Sequence, residues 1–214
     1  MNPADLTILY EDNHLIIVNK PKNLLTQPTD IEELSLEGIV KLWIKEKYKK
    51  PGNVFLGVIH RLDKPVSGIV VFAKTSKALS RLNLAMRSKQ MNKTYTALVE
   101  GVIGHDKGTL ENYLTHDDYN AKITSKTDPK AKLARLHYKV LKRDKTNTLL
   151  EIDLETGRYH QIRAQLSHIG HPIVGDAKYG SKEIRPRGTI ELHHSQMKLI
   201  HPITQEVLTI TSNT

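Results

Sequence analysis

The fold is decided by residues 54–75, VFLGVIHRLDKPVSGIVVFAKT, in which two apolar runs enclose one short polar loop. The runs 54–59 and 69–73 are rich in β-branched and apolar residues, which predicts two buried strands. Pro65 prevents a helix from running through Asp63. The loop therefore presents Asp63 at the end of two core strands, and side chains on such loops often carry function.

The polar residues of this loop can also be explained by a purely structural role. Ser67 and Gly68 predict a turn back into the second strand. Asp63 would then pair with Arg61 or Lys64 at a solvated turn, as many turn carboxylates do. The loop alone does not decide between a structural and a catalytic carboxylate.

The sequence H-R-L-D at residues 60–63 resembles the catalytic motif of the RluA-type pseudouridine synthases. The resemblance extends from about residue 8 to residue 210. Asn23 and Tyr159 depart from the family pattern, at positions where many relatives carry glycine and a small residue. Five further segments resemble the other family motifs, in the family's order: VNKP (18–21), KTYTALVEG (93–101), TGRYHQIR (156–163), HPIVGDAKYG (171–180) and LHHSQMKLIHP (192–202).

The resemblance implies three catalytic residues, Asp63, Tyr95 and Arg163. Asp63 corresponds to the family's nucleophile, and a carboxylate can add to a sugar carbon or to an electrophilic ring carbon. Both targets stay open. Tyr95 would offer a flat ring to uracil and a hydroxyl for proton removal. Arg163 would keep Asp63 ionised through a bidentate pair, with Arg158 as the nearby alternative.

RNA contacts are predicted at several basic side chains. A base inside an RNA stack cannot be reached, so the target uridine must be flipped out. The resemblance implies that Arg61 fills the space that this uridine leaves. His60 is also open to a purely structural role. The other predicted contacts lie in the middle of the chain and in the third motif: Lys93, Lys122, Lys126, Lys130, Lys132, Arg135 and Arg158.

The charge distribution favours a polyanionic partner. The chain has 32 Lys and Arg residues against 23 Asp and Glu residues. Residues 54–150 hold 18 basic and 8 acidic side chains, whereas the rest of the chain holds 14 and 15. A basic central region between nearly neutral ends is typical of a protein that binds nucleic acid. The alternative is a soluble protein whose surface is generally rich in lysine.

Several kinds of chemistry are excluded or disfavoured. The chain has no cysteine, which excludes disulfides, thiolate zinc sites and a cysteine nucleophile. No apolar run approaches the about 18 residues of a membrane span, and residues 1–5 lack a basic and apolar leader, so a cytoplasmic protein is expected. We expect no metal and no cofactor, because the conversion of uridine into pseudouridine that the resemblance implies is an isomerisation without redox change. Four histidines that could suggest a metal site lack ligand spacing: His168, His171, His193 and His194.

The pattern of elements predicts an α+β fold, a single catalytic domain over residues 1–214. The resemblance to the pseudouridine synthases implies the same class, as a long, mostly antiparallel mixed sheet flanked by helices and loops with an active-site cleft across it, and no S4-type RNA-binding domain is expected. Helices are predicted from an N-cap at Ser35 to about Lys49, with Ile39, Leu42 and Trp43 facing the core, from a cap at Thr75 or Ser76, and over 160–169. Strands are predicted at 6–10, 14–18, 93–100, 136–141, 148–154, 190–193 and 207–211, whereas the polar, turn-rich stretch 101–131 shows no clear pattern.

The predicted function is an RNA pseudouridine synthase, an isomerase that acts as a monomer on a specific uridine of ribosomal or transfer RNA. The alternative is a catalytically silent RNA-binding or ribosome-assembly protein on the same fold. The trio Asp63, Tyr95 and Arg163 argues against it, because a binding protein has no use for a nucleophile. A protein-kinase H-R-D loop is disfavoured by the absence of a G-x-G-x-x-G loop.

Overall fold

The computed structural model describes residues 2–117 and 119–213. Within these residues the chain forms eleven β-strands and three α-helices. The strands are β1 (Thr7–Glu11), β2 (Leu15–Lys20), β3 (Gly57–Val58), β4 (Ser67–Ala73), β5 (Asn92–Glu100), β6 (Lys107–His116), β7 (Ala121–Thr124), β8 (Lys132–Arg143), β9 (Asn147–Leu154), β10 (Leu192–Ile200) and β11 (Val207–Thr211). The helices are α1 (Leu36–Lys47), α2 (Ser76–Arg87) and α3 (Gln161–His168).

The chain forms two compact units. The first comprises the chain up to Met91 and from His194 onward, and the second is Asn92–His193. The predicted single catalytic domain over residues 1–214, and the cleft across it, stay predictions.

In the first unit, β4 lies between β2 and β10. β2 pairs antiparallel with both β4 and β1, and β10 pairs antiparallel with β11. All seven residues of β4 are buried. Both faces of the sheet are therefore covered at this strand, which explains why the run 69–73 contains no polar residue. The predicted buried strand is confirmed.

The core of the first unit joins the sheet to α2. The helix begins after Thr75, whose hydroxyl accepts a hydrogen bond from Ala78 N at 3.3 Å, as predicted for a cap. Leu82 of the predicted stripe is buried, with Leu79 and Met86 partly buried beside it. The cluster that the helix completes includes Leu15, Ile17, Ile69, Val71, Met197 and Leu199.

Helix α1 begins where predicted, but its buried face was predicted only in part. The Ser35 hydroxyl accepts a hydrogen bond from Gly38 N at 3.3 Å. Ile39 is buried, whereas Leu42 is 52% exposed and Trp43 is half-buried. The core instead receives Leu36, Ile39, Val40 and Ile44. Two apolar stripes overlap on this helix, and its contact with the rest of the unit selects one of them.

The first predicted strand, over 54–59, is shorter than expected. Only Gly57–Val58 pairs with the end of β4, and Phe55 is 49% exposed. The pairing stops because the next donor of β4 is taken by a side chain: Val71 N donates to His60 Nε2 at 3.2 Å. An imidazole therefore replaces the backbone carbonyl that would have continued the ladder.

The predicted turn at Ser67 and Gly68 was wrong, because both residues belong to β4. The turn lies earlier, where Val66 N donates to Asp63 O at 3.0 Å. Gly68 has φ +118°, and a Cβ at this position would lie 2.4 Å from the carbonyl oxygen of His194. The glycine is therefore required by the close approach of β10.

The sheet of the second unit has the order β5-β9-β8-β6-β7 and is antiparallel throughout. β5, β8 and β9 contain the strands predicted at 93–100, 136–141 and 148–154. β6 and β7 lie in the stretch 101–131, for which the sequence predicted no element. β6 alternates between exposed and partly buried positions along most of its length, so its apolar pattern is weak.

Helix α3 confirms the predicted helix over 160–169. Ile162 and Leu166 are buried as expected, whereas Ile169 lies at the C-cap and is 36% exposed. Gly170 follows with φ +83°, the left-handed conformation expected just beyond a helix.

The last predicted strands correspond to the start of β10 and to β11, although β10 continues to Ile200. The predicted α+β class, with a mostly antiparallel sheet flanked by helices, is confirmed. Among the described residues, no helix has the length and apolar character needed to cross a membrane.

Candidate active site

Asp63 lies in the loop between β3 and β4, at the first position of a four-residue turn. The hydrogen bond from Val66 N to Asp63 O closes this turn. Leu62 and Val66 are 7% and 2% exposed and anchor the loop on both sides of the carboxylate. Asp63 itself is half-buried, and Arg61 is exposed. The loop therefore presents a carboxylate from a rigid base, with a guanidinium two residues away reaching solvent.

Lys20 of the VNKP segment is completely buried next to this loop. Its Nζ donates to the carbonyl oxygens of Leu24 (2.7 Å), Pro21 (3.0 Å) and Lys64 (3.1 Å). Burial lowers the pKa of Lys20 to about 7, and the negative charge of Asp63 opposes this shift. No role was predicted for Lys20, although a lysine that ends an apolar strand is an available signal for a buried cation.

The turn after Lys20 explains one departure from the family pattern. Asn23 has φ +63°, in the left-handed region that favours glycine. Asparagine is one of the few other residues that adopts this conformation readily. Asn23 therefore adopts a backbone conformation for which glycine is the usual residue.

His60 has a structural role in the first unit. Its Nε2 accepts the hydrogen bond from Val71 N, and its ring stands edge-on to that of His194 at 5.5 Å between centroids. His194 Nδ1 in turn lies 2.7 Å from Ile69 O. The structural alternative for His60 is thus supported, and its contact with RNA stays a prediction.

In the second unit, Tyr95 lies on β5 opposite Ile152 and is 7% exposed. Lys93 precedes it by two residues and therefore shares its face of the strand. Burial lowers the pKa of Lys93. A Cβ at Gly157 would lie 3.3 Å from Lys93 Nζ. The structure therefore brings the KTYTALVEG and TGRYHQIR segments together.

Arg163 lies on α3, and its guanidinium binds Asp176 through two hydrogen bonds. Nε lies 2.6 Å from Oδ2 and Nη2 lies 2.8 Å from Oδ1. The two side chains are 6% and 1% exposed. The predicted partner was Asp63, which lies in the other unit, and that pairing stays a prediction. Asp176 belongs to the HPIVGDAKYG segment, but no role was predicted for it.

Tyr179 completes the cluster around Arg163. Its ring centroid lies 4.9 Å from Arg163 Cζ, a cation–π contact. Its hydroxyl accepts a hydrogen bond from Ala121 N at 2.8 Å and lies 2.9 Å from His160 Nδ1. Burial raises the pKa of Tyr179 to about 12, so the hydroxyl stays protonated near neutral pH. Tyr179 therefore connects β7, α3 and the loop that follows.

The predicted RNA-binding side chains of the second unit are mostly exposed. Arg158 is exposed, and its Nε donates to Leu133 O at 2.9 Å. Three of the predicted RNA-binding lysines are exposed and form no salt bridge with any described residue: Lys126, Lys130 and Lys132. Two other predicted contacts are already paired, Lys122 with Asp117, and Arg135 with Glu111 and Glu155.

Two of the four histidines of the metal alternative have partners in the protein. His171 Nδ1 lies 2.8 Å from Glu100 O, and His194 Nδ1 bonds to Ile69 O. Across residues 2–117 and 119–213, no group of three or more His, Cys, Asp or Glu side chains is arranged to hold a metal ion. The expectation that the enzyme needs no metal and no cofactor stays a prediction.

Comparison with known proteins assigns the chain to a family. A family model described as RNA pseudouridylate synthase matches residues 14–168. The uncharacterized RNA pseudouridine synthase YhcT of Bacillus subtilis (strain 168) is 35% identical over 210 residues, which cover 96% of this chain and 67% of the relative. Ribosomal large subunit pseudouridine synthase D of Escherichia coli (strain K12) is 33% identical over 215 residues, which cover 93% of this chain and 64% of the relative. The chain thus spans about two thirds of the length of these relatives.

A solved structure supports the same fold. Human RNA Pseudouridylate Synthase Domain Containing 4 superimposes with a TM-score of 0.80 over 97% of this chain and 88% of that chain, at 23% identity. At this level of identity the similarity concerns the fold alone. The family match covers most of the chain, and the chain belongs to the RNA pseudouridylate synthase family. The predicted family and enzyme class are confirmed, whereas the roles of individual residues stay predictions.

Proposed function

We propose that this enzyme isomerises a specific uridine of ribosomal or transfer RNA, with Asp63 as its nucleophile. The observation that carries this role is the position of Asp63, a half-buried carboxylate on a turn between two buried anchors. Ribosomal RNA is supported by relatives named ribosomal large subunit pseudouridine synthase D. Transfer RNA is the second substrate class to be tested.

The isomerisation exchanges one bond to the ribose for another. The N1–C1′ bond breaks, the uracil rotates, and a C5–C1′ bond forms. The proton on C5 leaves and N1 takes up a proton, so the atoms of substrate and product balance without a redox partner. The Asp63 carboxylate has two possible covalent partners, C1′ of the ribose and C6 of the base. In either case the carboxylate must be ionised and must be released at the end.

Three further side chains have proposed roles around the nucleophile. Tyr95 supplies a flat, nearly buried ring for the uracil, and its hydroxyl serves in proton removal. Arg163 supplies a positive charge that favours the ionised form of Asp63. Arg61 is exposed on the Asp63 loop and occupies the space that the flipped uridine leaves in the RNA.

The RNA backbone is proposed to lie on the exposed basic residues of the second unit. Lys126, Lys130 and Lys132 are exposed and form no salt bridge in the described part of the chain. Phosphates would replace the solvent around these ammonium groups. Arg158 extends this surface, since its Nε is bonded to the backbone of Leu133, the residue that follows Lys132.

The enzyme is further proposed to act as a monomer. It is also proposed to need no metal and no organic cofactor, because the reaction is an isomerisation. Two results would support this: chelator-treated protein remains active, and the active protein has the mass of about one chain in analytical ultracentrifugation. Activity that is restored only by added zinc or magnesium, or that rises with dimer formation, contradicts it.

The function is tested by mapping pseudouridine in cellular RNA with and without the gene. Loss of a single pseudouridine in ribosomal or transfer RNA, restored by the wild-type gene, supports the proposal and names the substrate. The purified protein should also release tritium from that RNA transcribed with [5-³H]uridine, because the C5 proton leaves during the reaction. Unchanged pseudouridines and no tritium release would support the silent RNA-binding alternative.

A further inference from the structure

We propose that Thr26 is a positioning residue for Asp63, which it serves by holding the backbone beside the nucleophile. This role rests on the proposed function, in which the Asp63 carboxylate attacks the substrate. Thr26 lies outside the motifs that resemble the family's catalytic segments.

The contact between Thr26 and the Asp63 loop uses both properties of a hydroxyl. Thr26 Oγ1 donates to Leu62 O at 3.0 Å and accepts a hydrogen bond from Leu62 N at 3.1 Å. Thr26 is 3% exposed and Leu62 is 7% exposed. One buried side chain therefore satisfies both backbone groups of the residue that immediately precedes Asp63.

The other side of Asp63 is held from the same stretch of chain. Lys20 Nζ donates to Lys64 O at 3.1 Å, and the Lys64 side chain pairs with Glu32 at 2.5 Å. The residues before and after Asp63 are thus both bonded to the segment 20–32. Together with the hydrogen bond from Val66 N to Asp63 O, these contacts hold the backbone on both sides of Asp63 in place.

Removing the Thr26 hydroxyl would leave two buried backbone groups without a partner. Such groups are costly, so the loop would shift to reach water or another partner. A displacement of about 1 Å at a reacting group can lower the rate by on the order of a hundredfold. Thr26 itself would make no contact with the substrate, because it is buried and touches the loop from within the protein.

The test compares Thr26→Val, which keeps the shape, with Thr26→Ser, which keeps the hydroxyl. For Thr26→Val we expect kcat to fall by about ten- to a hundredfold with KM within about twofold of the wild type. Thr26→Ser should restore kcat to within about threefold, because it again bonds both groups of Leu62.

The chain offers a matched control in the second unit. Thr148 is fully buried, donates to Gly101 O at 2.8 Å and accepts a hydrogen bond from Ile103 N at 3.1 Å. It therefore makes a similar two-way contact, but with a connection that carries no proposed site residue. Thr148→Val should lower the melting temperature by a similar amount while leaving kcat within about twofold of the wild type.

The outcomes separate this role from the proposed function. An inactive wild type contradicts the proposed function and the positioning role with it. An active wild type with unchanged kcat in Thr26→Val contradicts the positioning role alone. Equal losses of kcat in Thr26→Val and Thr148→Val also contradict it, since they would reflect general destabilisation. If Thr26→Val does not fold, Thr26→Ala removes the same hydroxyl without steric conflict and is judged by the same criteria.

Discussion

The Arg163 guanidinium and the Asp176 carboxylate form a two-bond ion pair in the second unit, with distances of 2.6 and 2.8 Å. Both side chains are almost completely buried. Two parallel bonds fix the plane of the guanidinium as well as its position. The arginine that the TGRYHQIR segment contributes to the proposed site is therefore oriented by an aspartate from the HPIVGDAKYG segment.

Replacing Asp176 should destabilise the protein strongly. Asp176→Asn preserves the shape but leaves the buried charge of Arg163 without this counter-charge. We expect the free energy of unfolding in urea to fall by about 3–5 kcal/mol. Glu183→Gln is the control, because Glu183 pairs with Arg185 at 2.8 Å on the surface, with both side chains at least one third exposed. The control should decrease stability by less than about 1 kcal/mol. Similar small decreases in both variants would show that the buried pair adds nothing.

Substitutions of Arg163 should separate its charge from its geometry. Arg163→Lys keeps the charge but removes the planar fork that binds Asp176, and Arg163→Met removes both. We expect kcat to decrease in the order wild type, Lys, Met, with the Met variant lower by on the order of a hundredfold. Tritium release at saturating RNA measures this, on variants whose folding is confirmed by circular dichroism. If Arg163→Met retains wild-type kcat and Arg158→Met abolishes activity, Arg158 is the catalytic arginine.

Lys20 should make stability depend on pH. In the folded protein its pKa is lowered to about 7, whereas the unfolded chain keeps the usual value of 10.5. Between these values the unfolded state binds more protons, so the free energy of unfolding rises with pH by up to about 1.4 kcal/mol per pH unit. Below about pH 7 the destabilising effect of the buried ammonium is constant.

The effect of Lys20 is measured as the difference between the wild type and Lys20→Met. Urea unfolding at about pH 7.5, 8.5 and 9.5 gives the free energy of unfolding of both proteins. At each higher pH, the free energy of unfolding of the wild type should increase relative to that of Lys20→Met. Lys50→Met removes an exposed lysine and should show a constant difference over the same range. A constant difference for Lys20→Met as well would mean that Lys20 keeps its proton throughout.

The lysine surface should be visible in the salt dependence of RNA binding. Replacing Lys126, Lys130 and Lys132 together with glutamine should weaken binding, because three ammonium groups no longer meet phosphates. The plot of log K against log salt should become flatter by about 0.7–0.9 for each phosphate whose lysine is replaced.

The matched control for this surface replaces three exposed lysines of the first unit, Lys45, Lys49 and Lys50, with glutamine. It changes the net charge of the protein by the same amount but leaves the proposed RNA surface intact. An equal change of slope in both triple variants would place the RNA elsewhere or show a general effect of net charge.

The sequence predicted local structure correctly where one side chain determines the backbone. Ser35 and Thr75 cap their helices, and Gly170 ends α3, because each acts on residues within four positions. The strands β6 and β7 were missed, since β6 has a weak apolar pattern and pairs with β8 farther along the chain, and β7 pairs with β6. Asp117 was an available turn signal, because its carboxylate accepts hydrogen bonds from the backbone of two following residues.

The candidate site was predictable in its residue types but not in its contacts. Asp63 followed from the motif and from Pro65, which excludes a helix there. The Arg163 partner Asp176 is separated from it by a turn and has no periodic relation to α3, so no sequence pattern indicates the pair. Thr26 likewise bonds Leu62 across 36 positions, a separation that only the folded chain closes.

If Asp63 is the nucleophile, Asp63→Asn should abolish the isomerisation. The amide keeps the size of the side chain but cannot act as a carboxylate nucleophile. Asp30→Asn is the control, since Asp30 is an exposed carboxylate of the same unit. The measurement is tritium release from [5-³H]uridine-labelled RNA, alongside RNA affinity and melting temperature. We predict no detectable release by Asp63→Asn, with affinity within about threefold of the wild type, and full release by Asp30→Asn. Appreciable turnover by folded Asp63→Asn would show that Asp63 is not the nucleophile.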